Sequence, residues 1–172
     1  MQARLVLTVI GPDRPGLVDQ LSAVIAGAHG SWQKSHLARL AGQFAGIVEV
    51  AIEADRAAAL SAALASVAGL SVAVTRATAD EAKPAPRAVR LAFVGQDRPG
   101  LVQAISHVLA KSGANVDELS TQTFPSPMSG IPLFEAEAEV HLPADLALDA
   151  LRDELESVAR DLMVDVQLHE EI

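Results

Sequence analysis

The sequence predicts an α+β protein made of two ferredoxin-like βαββαβ domains, each a four-stranded antiparallel sheet with two helices on one face. Three observations carry that expectation. Leu7 to Val18 reads LTVIGPDRPGLV and Leu91 to Val102 reads LAFVGQDRPGLV, eight identities in twelve at an offset of 84. The apolar stripe Leu17, Val18, Leu21, Val24, Ile25 and Ala28 then recurs at helical period as Leu101, Val102, Ile105, Val108, Leu109 and Ser112. Between the copies, Ala77 to Ala88 lacks periodicity and carries Pro84 and Pro86, which favour extended chain. The expected domains are residues 1–77 and 89–172, with a linker over 78–88.

In the first copy, Arg4 to Ile10 is rich in β-formers and runs into the turn GPDRPG. A helix is expected from about Pro15 to Ala28, with proline in the first turn, where its missing N–H is harmless. Trp32 to Leu40 and Phe44 to Glu53 flank the short Ala41-Gly42-Gln43 and read as a hairpin. A second helix is expected after an Asp55 N-cap, striped by Leu60, Leu64 and Val67 and closed by Gly69; the strand Leu70 to Thr75 follows. The second copy repeats the order: strand Val89 to Val94, helix Pro99 to Lys111, strands near Val116 to Phe124 and Leu133 to Leu142, helix Ala144 to Ala159, strand Met163 to Leu168. Its second helix is expected to be capped by Asp145 and striped by Leu148, Leu151, Leu155 and Val158. Between its central strands it inserts Pro125 to Pro132, a proline-rich connection readable as a gate, a contact or a variable loop. A βαββαβ unit leaves one sheet face open, and the apolar Val48, Val50 and Ile52 suggest that this face is covered, which predicts a homodimer or close pairing of the repeats.

Half of the 172 residues are hydrophobic, enough for packed cores, and no apolar run approaches the roughly 18 residues of a membrane span. Charges at Arg4, Asp13 and Arg14 interrupt any signal-like segment, so the expected location is cytoplasmic, with no membrane partner. The absence of cysteine excludes disulfides, thiol nucleophiles and thiolate metal sites. Net charge is −9 and is uneven: residues 1–77 carry six basic and five acidic side chains, residues 88–172 five and fifteen. Such a field repels polyanions, so direct nucleic-acid binding is not expected; the acidic half is either a solvated face or a surface for a basic partner.

Enzyme readings fail when residues are required to cooperate. His29, His36, His107, His141 and His169 show no metal-binding spacing, and neither a nucleophile elbow nor a phosphate loop is present. Glu135, Glu137 and Glu139 alternate at strand period and are expected to share one exposed face. Catalysis, metals and cofactors are therefore not expected, and Trp32 is read as core. The strongest local constellation is the strand-to-helix turn Asp13, Arg14, Pro15, Gly16 and Leu17, with its copy Asp97, Arg98, Pro99, Gly100 and Leu101. Free N–H groups at a helix start suit a small anion such as an amino-acid carboxylate, and glycine lets a ligand approach the backbone; a merely stable turn is the competing reading.

These D-R-P-G-L-V turns, set between β-rich strands and amphipathic helices in a βαββαβ order, resemble ACT domains, small regulatory modules that bind amino acids. The tandem layout, with Phe124 to Gly130 (FPSPMSG) between the second copy's central strands, resembles the glycine cleavage system transcriptional repressor family. Formyltetrahydrofolate deformylases resemble the first copy as well, but continue into a catalytic domain not expected here. The resemblance implies a regulator that senses an amino acid, glycine the first candidate, and acts on a LysR-type transcriptional activator by protein contact. It carries the ligand role onto Asp13 to Leu17 and Asp97 to Leu101, and onto Asn115 of Gly113-Ala114-Asn115, where the first copy has Gly30-Ser31-Trp32. A constitutive scaffold, or a regulatory subunit of a separate metabolic enzyme, stays open as an alternative.

Overall fold

Alternating apolar residues form the strands, and the helices cover the face on which those residues converge. The computed structural model describes residues 1–77 and 87–170. The chain divides into two compact units, Met1–Asp80 and Glu81–Ile172. In the first, β1 (Gln2–Pro12), α1 (Leu17–Gly27), β2 (Ser31–Leu40), β3 (Gln43–Glu53), α2 (Ala57–Ala65) and β4 (Ser71–Arg76) follow in order. In the second, β5 (Arg87–Gln96), α3 (Leu101–Lys111), β6 (Asn115–Pro125), β7 (Pro132–Leu142), α4 (Leu148–Leu162) and β8 (Val164–Glu170) repeat it. The sheets have the order β2-β3-β1-β4 and β6-β7-β5-β8, and every neighbouring pair is antiparallel. Each unit is thus the expected ferredoxin-like sheet with two helices.

One face of each sheet makes the core. In the first unit Leu5, Leu7 and Val9 of β1 and Val48, Val50 and Ile52 of β3 pack with Leu17, Leu21 and Ile25 of α1 and Leu60 and Leu64 of α2. Trp32 and Val67 pack against this cluster from its margin. In the second, Val89, Leu91 and Phe93 meet Ala136, Ala138 and Val140 under Leu101, Ile105, Leu109, Leu151 and Leu155. Val48, Val50 and Ile52 therefore belong to the helix-covered face and not to the open one. Strand period two assigns them to the side of Leu5 and Leu7, since Val50 pairs with Leu5 and Val48 with Leu7. The open face of the first unit instead carries Ile10 and Ile47, each 49% exposed.

Helix starts differ from the sequence expectation for a common reason. α1 and α3 begin at Leu17 and Leu101, two residues after the prolines, because Gly16 (φ 87°) and Gly100 (φ 95°) adopt the left-handed conformation at the N-cap. A left-handed residue cannot lie within a right-handed helix. Asp55 and Asp145 do not cap α2 and α4: the N-cap residues are Arg56 and Ala147, neither with a side-chain cap bond. Turns precede both helices, closed by Arg56 N–H to Glu53 O at 2.9 Å and Leu146 N–H to Pro143 O at 3.1 Å, and carry the chain past the aspartates before the helix begins. Gly69 has φ 79° but lies beyond the C-cap Ser66, in the turn that leads to β4.

Strand pairing also corrects the linker. Arg87 and Ala88 pair with Leu142 and His141, so β5 starts two residues inside the segment read as linker; the rest of that segment lies outside the described residues. The β2–β3 hairpin turns through Ala41 (φ 50°) and Gly42 (φ 77°), the two left-handed residues of a type I′ turn. β6 and β7 extend to the pair Pro125 and Pro132, leaving a loop over 126–131 closed by Ser126 N–H to Ile131 O at 2.9 Å. Met128 in that loop is 98% exposed.

Two substitutions test this description. Leu155→Ala, at a fully buried site in α4, is expected to cost about 2–5 kcal/mol of unfolding free energy in urea titrations. Gly100→Ala meets no atom within 4 Å, so only left-handed strain applies, and a loss of about 1–2 kcal/mol is expected from the same measurement.

Candidate functional site

Each D-R-P-G turn joins the end of a central strand to a helix whose first N–H groups have no side-chain cap. The first intrahelical bonds are Gln20 N–H to Gly16 O and Ala104 N–H to Gly100 O, both 2.9 Å. The amides preceding Gln20 and Ala104 in each helix therefore stay at the N-terminal end, where the helix dipole favours negative charge. Both turns are pinned to the neighbouring hairpin, Asp13 N–H to Gly42 O in the β2–β3 turn and Asp97 N–H to Pro132 O at the start of β7, each at 2.9 Å. Leu17 and Leu101 are buried, so their side chains anchor the turn in the core and only their backbone can face a ligand.

The two turns use their charged side chains differently. Arg14 donates through Nη2 to Gln20 Oε1 at 2.7 Å and to the Ala68 carbonyl at 2.8 Å. Gly69 leaves room for this guanidinium: a Cβ there would lie 3.3 Å from Arg14 Nε. Asp13 pairs with Arg39 of β2, with Arg39 Nη1 3.3 Å from Oδ2. In the second unit Arg98 Nη2 is shielded from water and has no hydrogen-bond partner. The positions that correspond to Gln20 and Arg39 at the offset of 84 are Ala104 and Thr123. The connection from α4 to β8 is the single residue Met163, so no counterpart of the Ala68-Gly69 turn stands there to receive Arg98.

Asn115 does not join the turn of its own unit. It pairs with His141, which lies opposite Ala88 near the start of β5, whereas Asp97 follows the end of that strand at Gln96. Eight residues of extended chain separate the two places, about 26 Å at roughly 3.3 Å per residue. Asn115 Nδ2 donates to Asp117 Oδ1 at 2.6 Å, and the other carboxylate oxygen of Asp117 is 2.5 Å from His141 Nδ1. Asp117 occupies the irregularity between Val116 and Glu118, which aims its side chain at both neighbours. Sequence reading missed Gln20, Arg39, Asp117 and His141, because each is recruited by pairing across strands or between a loop and a helix; only the 84-residue offset could have flagged the Gln20/Ala104 and Arg39/Thr123 differences.

The acidic character of the second half has a defined place. Glu135, Glu137 and Glu139 of β7 alternate with the buried Ala136, Ala138 and Val140, so they share the open sheet face as expected. Glu118 lies opposite Glu139, and Asp165 opposite Val94, on the same face. Arg90 with Glu139 at 3.8 Å and Gln122 Nε2 with Glu135 Oε2 at 2.6 Å partly balance it. A shallow depression of about 140 Å³ here is lined by Arg90, Glu118, Ser120, Glu137 and Glu139. A smaller apolar groove lies between α3 and β6, bounded by Val102, Val116 and Leu119. Among the described residues, no three His, Asp or Glu side chains are grouped to hold a metal ion, and no helix is long and apolar enough to cross a membrane.

Comparison with known proteins agrees with this architecture. A crystal structure of an unknown protein from Galdieria sulphuraria superposes with a TM-score of 0.91 at 33% identity, covering 100% of both chains. A candidate glycine cleavage system transcriptional repressor superposes with a TM-score of 0.72 at 19% identity, over 99% of this chain and 98% of that one, a likeness of fold. A UPF0237 protein of Methanopyrus kandleri is 34% identical over 80 residues, 46% of this chain and 83% of that protein. Residues 3–74 and 89–169 each match the ACT domain family, one match per unit and each spanning its D-R-P-G turn. By these two matches, which together take in most of its length, the chain belongs to the ACT domain family.

Proposed function

We propose that this chain is a non-catalytic cytoplasmic regulator that senses an amino acid through its ACT domains and passes the signal to a partner protein. The observation that carries the reading is the D-R-P-G turn, present in both ACT units and opening onto helix N-termini without side-chain caps. Those N–H groups and the arginine of the turn are chemistry suited to a carboxylate, and the aspartate is chemistry suited to an ammonium. The ligand residues in this reading are Asp13, Arg14, Pro15, Gly16 and Leu17 together with Asp97, Arg98, Pro99, Gly100 and Leu101. Asn115, at the opposite end of the sheet from the turn of its own unit, is not grouped with that turn in this reading.

The likeness to a candidate glycine cleavage system transcriptional repressor supports glycine as the first ligand to try, and a LysR-type activator is the partner that the family resemblance of the sequence implies. The acidic open face of the second unit supports action through protein contact rather than on nucleic acid, since phosphates would be repelled there. The same face supports the second reading, a constitutive interaction protein that needs no ligand. Thermal unfolding of the whole chain against the standard amino acids separates the two. A selective, saturable rise in midpoint is expected, equivalent to about 2.7 kcal/mol at 100 times the dissociation constant. No rise with any amino acid at millimolar concentration would remove the sensor reading and leave the constitutive one.

A further inference from the structure

We infer that the outer edge of β6 is the docking site for an extended segment of a partner protein in which apolar side chains alternate with lysine or arginine. This rests on the reading that the chain acts through protein contact, and it makes no use of an amino-acid site. β6 is the edge strand of its sheet and pairs with β7. That pairing is irregular between Val116 and Glu118 but unbroken from Glu118 opposite Glu139 to Pro125 opposite Pro132. A regular stretch of an edge strand directs alternate N–H and C=O groups away from its neighbour, as a template for one more strand. Every residue of β6 from Asn115 to Thr123 is exposed, and the strand contributes no buried side chain to the core of its unit.

The corresponding edge of the first unit is filled differently. Trp32 and Leu37 of β2 are half-buried against the core there, and the positions that match them at the offset of 84 are Val116 and Thr121. The smaller side chains leave an apolar groove between α3 and β6, where Val102, Val116 and Leu119 are 39%, 38% and 47% exposed. On the other face of the strand the charge is reversed. Lys34 of β2 is matched by Glu118, which lines the acidic depression with Ser120, Glu137, Glu139 and Arg90. Both depressions border the same strand, the apolar one on the helix side and the acidic one on the open side.

That arrangement specifies the occupant. Side chains of an added strand alternate between the two faces. Those beside Leu119 and Thr121, which lie opposite the buried Ala138 and Ala136, cover the apolar groove. Those beside Glu118 and Ser120 meet the glutamates of β7, where a cation is favoured. A second copy of β6 fits less well, since it brings a second Glu118 and its neighbouring glutamates to the same edge, and like charges oppose the pairing.

The test uses the full chain and a fluorescein-labelled peptide of about eight residues, within the usual strand range, that alternates valine and lysine. Fluorescence anisotropy at low salt is expected to show saturable binding, and none for a peptide that alternates valine and glutamate. A peptide of the first composition with its valines and lysines in separate blocks is expected to bind about tenfold more weakly, because it cannot present each side-chain type to its own face. Leu119→Ser is expected to raise the dissociation constant about fivefold and Glu137→Gln about threefold. Ile47→Ser, on the open face of the first unit, is expected to leave it unchanged. Leu119 and Ile47 are exposed, so both serine variants are expected to keep the unfolding midpoint of the unmodified chain. Absence of saturable binding by the alternating peptide overturns the inference. Equal binding of the block peptide does so too, because net charge then accounts for the attraction, as does an unchanged constant in Leu119→Ser. Sedimentation velocity that finds a dimer for the unmodified chain and a monomer for Leu119→Ser assigns the edge to a second copy and also overturns it. The amino-acid reading is separate from all of these results and stands or falls by its own thermal panel.

Discussion

In each unit the first strand is held between two others and covered by two helices, and the remaining elements depend on that arrangement. β1 lies between β3 and β4, and β5 between β7 and β8, so both edges of each strand are hydrogen-bonded. Its inward residues, Leu5, Leu7 and Val9 in one unit and Val89, Leu91 and Phe93 in the other, are at most 4% exposed. A strand pinned on both edges and buried on one face cannot slip in register without turning its apolar side chains to water. The end of the strand is therefore a fixed point, and the D-R-P-G turn starts from it. A left-handed glycine then redirects the chain into a helix that lies back over the same apolar face.

Rigid support of this kind is what a small-ligand site needs. The turn is anchored below by a buried leucine and beside by a backbone bond to the neighbouring hairpin. Its backbone is thus preorganised, and the side chains of its aspartate and arginine are what differ between the units. The first unit uses these groups in contacts of its own, joining the turn to β2 and to the segment before β4. The second has a longer α4 that enters β8 almost directly, which leaves its arginine without the carbonyl that Arg14 uses. The two copies share the motif and differ in what surrounds it.

The open sheet faces have diverged as well. That of the first unit presents Ile10 and Ile47. That of the second presents three glutamates of one strand, with Glu118 and Asp165 from its neighbours. Strand alternation makes both outcomes compatible with the same core, because residues on the open face contribute little to packing and are released to set surface charge. A field of this sign affects which partners approach, and it does so without altering the fold.

Local pattern was enough to read the architecture from the chain. The 84-residue repeat, the helical stripes and the period-two strands specify two βαββαβ units because each reports which side of an element must leave water. The turn was legible too, since glycine and proline restrict the backbone residue by residue. Helix starts at Pro15 and Pro99, caps at Asp55 and Asp145, and an open face holding Val48, Val50 and Ile52 were not read correctly. Each depended on a dihedral angle, a preceding turn or a strand register that the one-dimensional pattern leaves undefined. The candidate site divided in the same way: the motif is local, but whether Arg14 or Arg98 has a partner depends on Gln20, Ala68 and the length of a distant helix. Asn115, near the turn in motif order, stands at the far end of its sheet, because a helix and an antiparallel strand carry the chain away from the turn before it appears. Contacts between groups 54 residues apart exist only after the chain has folded, and tertiary structure alone decides them.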